Sequence, residues 1–215
     1  MVVMRKMSCV WLVWVAFCLA VFPLHAQQTD AKTVMERVAE SFRKAGGIRA
    51  GFTVSASTGS SSGSICLKGD KFVLEAGGVT TWFDGRTQWS YLVSSDEVNV
   101  SEPTADELQS LNPYAWLSLY RNGYRAELGK MNNSRESALY YKVILAATDK
   151  RRDVQSIVLH VSRKDYRPAH IILQQRGGEQ ADIVITSCQT GQNWPDSYFV
   201  FDKQRYPSAE VIDLR

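Results

Sequence analysis

The chain has 215 residues, of which 45% are hydrophobic and 11% aromatic, with a formal net charge of +3. Its basic residues are scattered rather than gathered into a stripe, which excludes a nucleic-acid-binding surface. No repeat, low-complexity linker or second domain interrupts it.

The first 26 residues read as an export signal. Arg5 and Lys6 give the positive start, Val10 to Phe22 is an apolar run too short to span a bilayer comfortably, and Leu24-His25-Ala26 offers a cleavage site. Cys18 follows bulky Phe17 rather than small residues, so no lipid attachment is expected. Cleavage leaves 189 of the 215 residues, one domain over 27–215 large enough to wrap a cavity. The signal takes two of the 25 basic residues and none of the 22 acidic ones, leaving a charge of +1. Of four cysteines, Cys66 and Cys188 remain, in a compartment that permits disulfides. They are either bridged or two small buried side chains, and the spacing does not decide between these. Cys66, between Ile65 and Leu67, is expected to point away from the apolar face.

Residues 30 to 45 predict a helix: Val34, Met35, Val38 and Phe42 recur at helical spacing, Asp30 caps the start and Gly46-Gly47 ends it. The period then changes to two. Phe52, Val54 and Ala56 alternate with polar residues, a Ser/Gly-rich turn is expected from Ser57 to Ser64, and Ile65, Leu67, Phe72 and Leu74 follow. Gly77-Gly78 breaks the chain before Val79 to Phe83, and Asp84-Gly85 marks a hairpin, with Trp89, Tyr91 and Val93 on one face of the return strand. Thr104 with Glu107 makes a capping box, and Asn112-Pro113 starts a second helix. That helix, Tyr114 to Tyr120, is apolar almost all round and so needs cover on all sides, as a lid over a barrel mouth would have. Strands resume at Tyr124 to Leu128, Leu139 to Ala147, Ser156 to Ser162, Ala169 to Gln175, Ala181 to Cys188 and Tyr198 to Phe201. About eleven evenly spaced strands predict an antiparallel sheet curled into a barrel or half-barrel.

No catalytic constellation emerges. His160 and His170 sit in strand patterns, no nucleophile elbow, phosphate-cradling loop or metal-ligand spacing is present, and neither enzyme activity nor a cofactor or metal is expected. The Asn132-Asn133-Ser134 match to a glycosylation acceptor is of a kind common by chance.

Three stretches carry a resemblance. Leu67 to Glu75 (LKGDKFVLE), Asp84 to Tyr91 (DGRTQWSY) and Leu111-Asn112-Pro113-Tyr114 resemble, in the same order, the LolA family of lipoprotein carriers, and the ending from Phe199 to Asp213 is similar to the family's last strand and tail. The resemblance implies an unclosed antiparallel β-barrel with an N-terminal helix and a lid of helices over its concave apolar face. It implies a periplasmic chaperone that carries outer-membrane lipoproteins by their acyl chains. An inner-membrane ABC transporter would donate them, and an outer-membrane acceptor not identified from the sequence would receive them. The carrier itself is expected to be a monomer. A carrier of another amphiphile, such as a glycolipid, is the alternative.

On that reading the cavity is expected to be lined by Phe52, Val54, Ile65, Leu67, Phe72, Leu74, Trp82, Trp89 and Tyr91. The lid is expected to comprise Leu108, Leu111, Tyr114, Trp116, Leu117, Leu119 and Tyr120. Phe72 and Leu74 match the family's inward aromatic pair, with leucine replacing a tryptophan. Lys68-Gly69 stands where the family often has Arg-Pro, which makes Lys68 the candidate lid tether without the arginine's bidentate fork.

Overall fold

The computed structural model describes residues 29–104, 107–108 and 123–215. The expected signal and all of the expected lid except Leu108 lie outside the described residues.

Helix α1 runs Ala31–Lys44. Asp30 caps it, its carboxylate accepting from Thr33 N at 2.6 Å, and Gly46 leaves it with φ 67°. Twelve strands follow: β1 Gly47–Ala56, β2 Gly59–Lys68, β3 Lys71–Ala76, β4 Val79–Phe83, β5 Gln88–Leu92, β6 Glu97–Ser101, β7 Tyr124–Gly129, β8 Tyr140–Ala147, β9 Val154–Ser162, β10 Pro168–Gln175, β11 Gln180–Gln192 and β12 Glu210–Asp213. A short helix α2, Ser134–Leu139, precedes β8. Its N-cap is Asn133, whose side chain accepts from Arg135 N.

All twelve strands form one unclosed sheet in the order β12-β6-β5-β4-β3-β2-β1-β11-β10-β9-β8-β7. Every pairing is antiparallel except β12 on β6. The long-range pairing of β1 with β11 joins the two halves.

Two expectations are corrected here. The stretch Ser57 to Ser64 is not mostly turn: β2 begins at Gly59 and runs through the serines. Their hydroxyls pair across strands, Ser55 with Ser60 at 3.2 Å and Thr53 with Ser62 at 3.4 Å, giving polar residues a strand role. Tyr198 to Phe201 is not a strand. Pro195 opens a 3-10 turn at Asp196–Phe199, and the sheet instead gains β12, making twelve strands rather than eleven.

The concave face has two halves. Over β7–β10, Val34, Met35 and Val38 of α1 fill the space, packing on Val143, Leu145, Ile157, Leu159, Val161 and Ile171. Over β1–β4 the sheet carries a second apolar cluster: Ile48, Ala50, Phe52, Ile65, Leu67, Phe72 and Phe83. The Phe52 ring lies across Gly63, where a Cβ would stand 2.6 Å from its Cζ, so glycine is required there. Thr104 and Glu107 form their capping box, with Thr104 N and Oγ1 both donating to Glu107 Oε2, at 2.7 and 2.9 Å. Leu108 packs against the second cluster.

The convex face of β2–β6 is covered by the chain's own C-terminal segment. Phe199 is fully buried against Cys66, Val73 and Trp82. Phe201 and Tyr206 pack on Trp82 at ring separations of 5.6 and 5.7 Å, and Tyr206 lies 4.7 Å from Tyr91. Among the described residues, no helix is long and apolar enough to cross a membrane.

Candidate functional site

A cavity of about 230 Å³ opens between α1 and the concave face. Its floor crosses six strands: Leu159 of β9, Ile171 of β10, Ile183 and Ile185 of β11, Ile48 to Val54 of β1, Ile65 and Leu67 of β2, and Leu74 and Ala76 of β3. Val38, Ser41 and Phe42 on the last turns of α1 form one wall. Period-two alternation assembles this floor, because each of these strand residues shares its phase with its partner across the ladder: Phe52 stands opposite Gly63, Ile65 opposite Leu74, and Val54 opposite Ile183.

Polar groups are few in the lining. The Ser41 hydroxyl donates to Val38 O at 2.8 Å and to Tyr166 O at 3.4 Å, tying α1 to the β9–β10 turn. Cys188 and Arg167 stand near that same turn. Burial pushes the Cys188 thiol up, and the adjacent Arg167 guanidinium opposes this. Such a surface suits apolar chains and offers little to bind a polar solute.

Of the nine residues expected to line the cavity, Phe52, Val54, Ile65, Leu67 and Leu74 do so. Phe72 is fully buried in the same cluster, its ring 5.3 Å from Phe83. The placement of Trp82, Trp89 and Tyr91 is corrected. Register sets Trp82 opposite Val73 and Trp89, and Tyr91 opposite Val98, all on the convex face beneath the C-terminal segment. Lys68 also lies on that face. Its ammonium donates to Trp194 O at 2.7 Å and to Asp196 at 3.1 Å, while Lys71 reaches the other Asp196 oxygen at 2.8 Å. Among the described residues, Lys68 thus tethers the C-terminal segment. Leu108 is placed on the concave cluster, whereas Leu111, Tyr114, Trp116, Leu117, Leu119 and Tyr120 are outside the described residues.

Cys66 and Cys188 are both free thiols on opposite faces: Cys66 pairs with Arg49, Cys188 with Ala50, adjacent residues of β1. His160 and His170 meet edge to face at 5.1 Å, and His170 Nε2 lies 2.6 Å from Asp182. Burial, aided by His170 and Lys142, holds His160 below the ordinary imidazole range. Neither histidine lines the cavity, and among the described residues no cluster of three or more His, Cys, Asp or Glu could hold a metal.

The sequence reading missed the β9–β11 share of the floor, the α1 wall, Arg167 and Cys188. Ile183-Val184-Ile185 gave no phase because all three are apolar, and the β1–β11 pairing that settles it joins segments far apart in the chain.

The fold is similar to the crystal structure of an uncharacterized conserved protein from Thermus thermophilus, with a TM-score of 0.58 and 13% identity over 85% of this chain and 98% of that one. A LolA superfamily protein from Nitrosomonas europaea matches with a TM-score of 0.46 and 14% identity over 81% of this chain and 99% of that one. No curated protein sequence matches this one. The family model for the outer membrane lipoprotein carrier protein LolA matches residues 19–179, about three quarters of the chain, and the protein therefore belongs to the LolA family.

Proposed function

We propose that this protein is a periplasmic carrier that shields the acyl chains of lipoproteins between the inner and outer membranes, exported by a signal that is cleaved after residue 26. The observation that carries this reading is the apolar cavity between α1 and β1–β3 with β9–β11. Each buried CH₂ of a chain gains roughly 0.8 kcal/mol, so a long aliphatic floor suffices for binding without any strong polar anchor. Carriage rather than storage requires the empty cavity to be re-covered, which lowers net affinity. The apolar segment 114–120 is the proposed cover, since Leu108, at the start of that region, already packs on the concave cluster. The donor in this scheme is an inner-membrane ABC transporter, the recipient an outer-membrane acceptor, and the carrier a monomer that performs no chemistry.

Isolation of the mature protein from the periplasm without detergent, followed by mass spectrometry of whatever copurifies, tests the reading. A triacylated lipoprotein supports it. Free lipid alone favours carriage of another amphiphile, a second reading that the charged side chain of Arg167 in the lining also favours. A protein that is empty and takes up no acyl chain overturns both.

A further inference from the structure

Arg167 is the one charged side chain among the described residues lining the cavity. Its neighbours use only part of its donor capacity. Ser41 spends its hydroxyl on Val38 O and Tyr166 O, and Cys188 meets the guanidinium through its thiol, a weak acceptor. Among the described residues the one carboxylate paired with it is Asp165, with Nε and Oδ2 3.7 Å apart, a long contact for a guanidinium with five N–H donors.

The position is built rather than incidental. The turn that delivers Arg167 closes with Tyr166 N donating to Ser162 O and Ser162 N donating to Arg167 O, both at 2.9 Å. It holds Tyr166 at φ 56°, in the left-handed region that a bulky residue rarely enters. Three contacts fix Tyr166 there: its ring stacks on Tyr141 at 5.9 Å, the Arg37 guanidinium lies 5.3 Å from the ring centre, and its carbonyl accepts from Ser41. Pro168 then starts β10.

From β10 the apolar floor runs across β11, β1 and β2 to Leu74 and Ala76 of β3, four inter-strand steps or up to about 19 Å. One leaflet of a bilayer's hydrocarbon core is of similar depth, roughly 15 Å. A neutral chain would fill this floor and gain nothing from a cation at its edge, where partial desolvation of the guanidinium is a cost. An anion there would take the free donors in charge-assisted hydrogen bonds, and a guanidinium fits phosphate or carboxylate with two of them at once.

We propose that the cavity binds an anionic amphiphile, its phosphate or carboxylate held by Arg167 and its chain laid across the floor toward Leu74 and Ala76. This rests on the reading of the cavity as an acyl-chain site and adds to it the charge of the headgroup. The anion can belong to a phospholipid-type phosphate or to a carboxylate beside the acyl chain.

Titration calorimetry of the mature protein, with twelve-carbon amphiphiles kept below their micelle concentrations, tests it. Dodecyl phosphate and laurate are expected to bind about tenfold or more tighter than uncharged dodecyl maltoside. Preference for the first indicates the phosphate source, and preference for the second the carboxylate source. Arg167→Gln should abolish the difference while leaving dodecyl maltoside unchanged, and Arg167→Lys should restore part of it. Asp165→Asn keeps the turn's acceptor oxygen but removes the competing charge, so it should tighten the anionic ligands; a misfolded variant cannot produce that gain. Equal binding of charged and uncharged amphiphiles by the wild type overturns the headgroup proposal and leaves the acyl-chain reading standing. Binding of none of the three overturns both.

Discussion

The two faces of the sheet around β2–β5 are both apolar, yet they meet different fates. On the convex face, Val73, Trp82, Trp89 and Tyr91 are met by Phe199, Phe201 and Tyr206 from the chain's own end. On the concave face, Phe52, Ile65, Leu67 and Leu74 border open space. The covered face is aromatic and the open face is mostly aliphatic. Aromatic rings gain specific edge and offset contacts from fixed partners, which suits a permanent seal. Aliphatic side chains bind through area alone, which suits a ligand that must leave again. The aromatic residues of β4 and β5, Trp82, Trp89 and Tyr91, therefore mark a structural seal, not the cavity.

The sharpest break of that comparison is one substitution on each face. Phe199→Ala empties a fully buried ring site and should cost about 3–5 kcal/mol in denaturant unfolding. Whatever fraction stays folded should still bind an acyl chain normally. Leu74→Glu puts a carboxylate on the cavity floor, where Leu74 is only partly buried. It should leave stability nearly intact and weaken acyl-chain binding by about tenfold or more, because the charge must be desolvated beneath the ligand. If Phe199→Ala proved mild and Leu74→Glu unfolded the protein, the roles assigned to the two faces would be reversed.

How far these faces could be read beforehand depends on the kind of signal. The N-terminal helix was legible down to its Asp30 cap, because helix period and cap chemistry are local. Alternation told which residues of one strand share a face, and so Phe52, Val54, Ile65, Leu67 and Leu74 fell together. It did not say which face a second strand presents. The missing step for Trp82 was nevertheless in the sequence. Gly77 and Gly78 both take positive φ, at 59° and 78°, in a two-residue loop that sets Ala76 opposite Val79. Counting back from that loop puts Trp82 beside Val73, in the opposite phase from Phe72 and Leu74. Asp84 accepting from Arg86 N and Thr87 N then fixes Trp89 opposite Trp82. The β1–β11 pairing had no such local signal, and with it went half of the cavity floor. The partners of Lys68 had no local signal either: Trp194 O and Asp196 are more than 120 residues away in the chain.

The two cysteines sharpen the comparison with a smaller but cleaner effect. Cys66 is buried under the C-terminal segment, its sulfur 3.6 Å from Tyr198 Oη, whereas Cys188 is exposed at the cavity. In denaturant both thiols should react with a thiol reagent. In the native protein Cys188 alone should react, slowly near neutral pH because the reactive form is the thiolate and burial pushes its pKa up. An added acyl chain should slow it further. Recovery of no free thiol from denatured protein would mean a bridge between residues that the register places on opposite faces, and would refute that register.

The smallest expected effect concerns the clasp that holds the seal in place. Asp196 lies between Lys71 Nζ, at 2.8 Å, and Lys68 Nζ, at 3.1 Å, and these ammonium groups hold its carboxyl below the ordinary value of 3.8. A carboxyl whose folded pKa is depressed contributes stability at pH values above its unfolded pKa and loses it as pH falls through the folded one. The clasp is therefore at full strength at neutral pH and releases only in acid, below about pH 4. The group is exposed and screened by solvent, so the effect on global stability is small. Asp196→Asn removes the charge and keeps a neutral acceptor. Its melting temperature should lie slightly below that of the wild type by a margin that is constant from pH 8 to about pH 5 and vanishes in stronger acid. Near-ultraviolet circular dichroism, which reports on the stacked Trp194 and Tyr198 rings, should show the same convergence. A margin that persists unchanged at low pH would mean that the ion pairs contribute nothing and that the aromatic contacts alone keep the convex face closed.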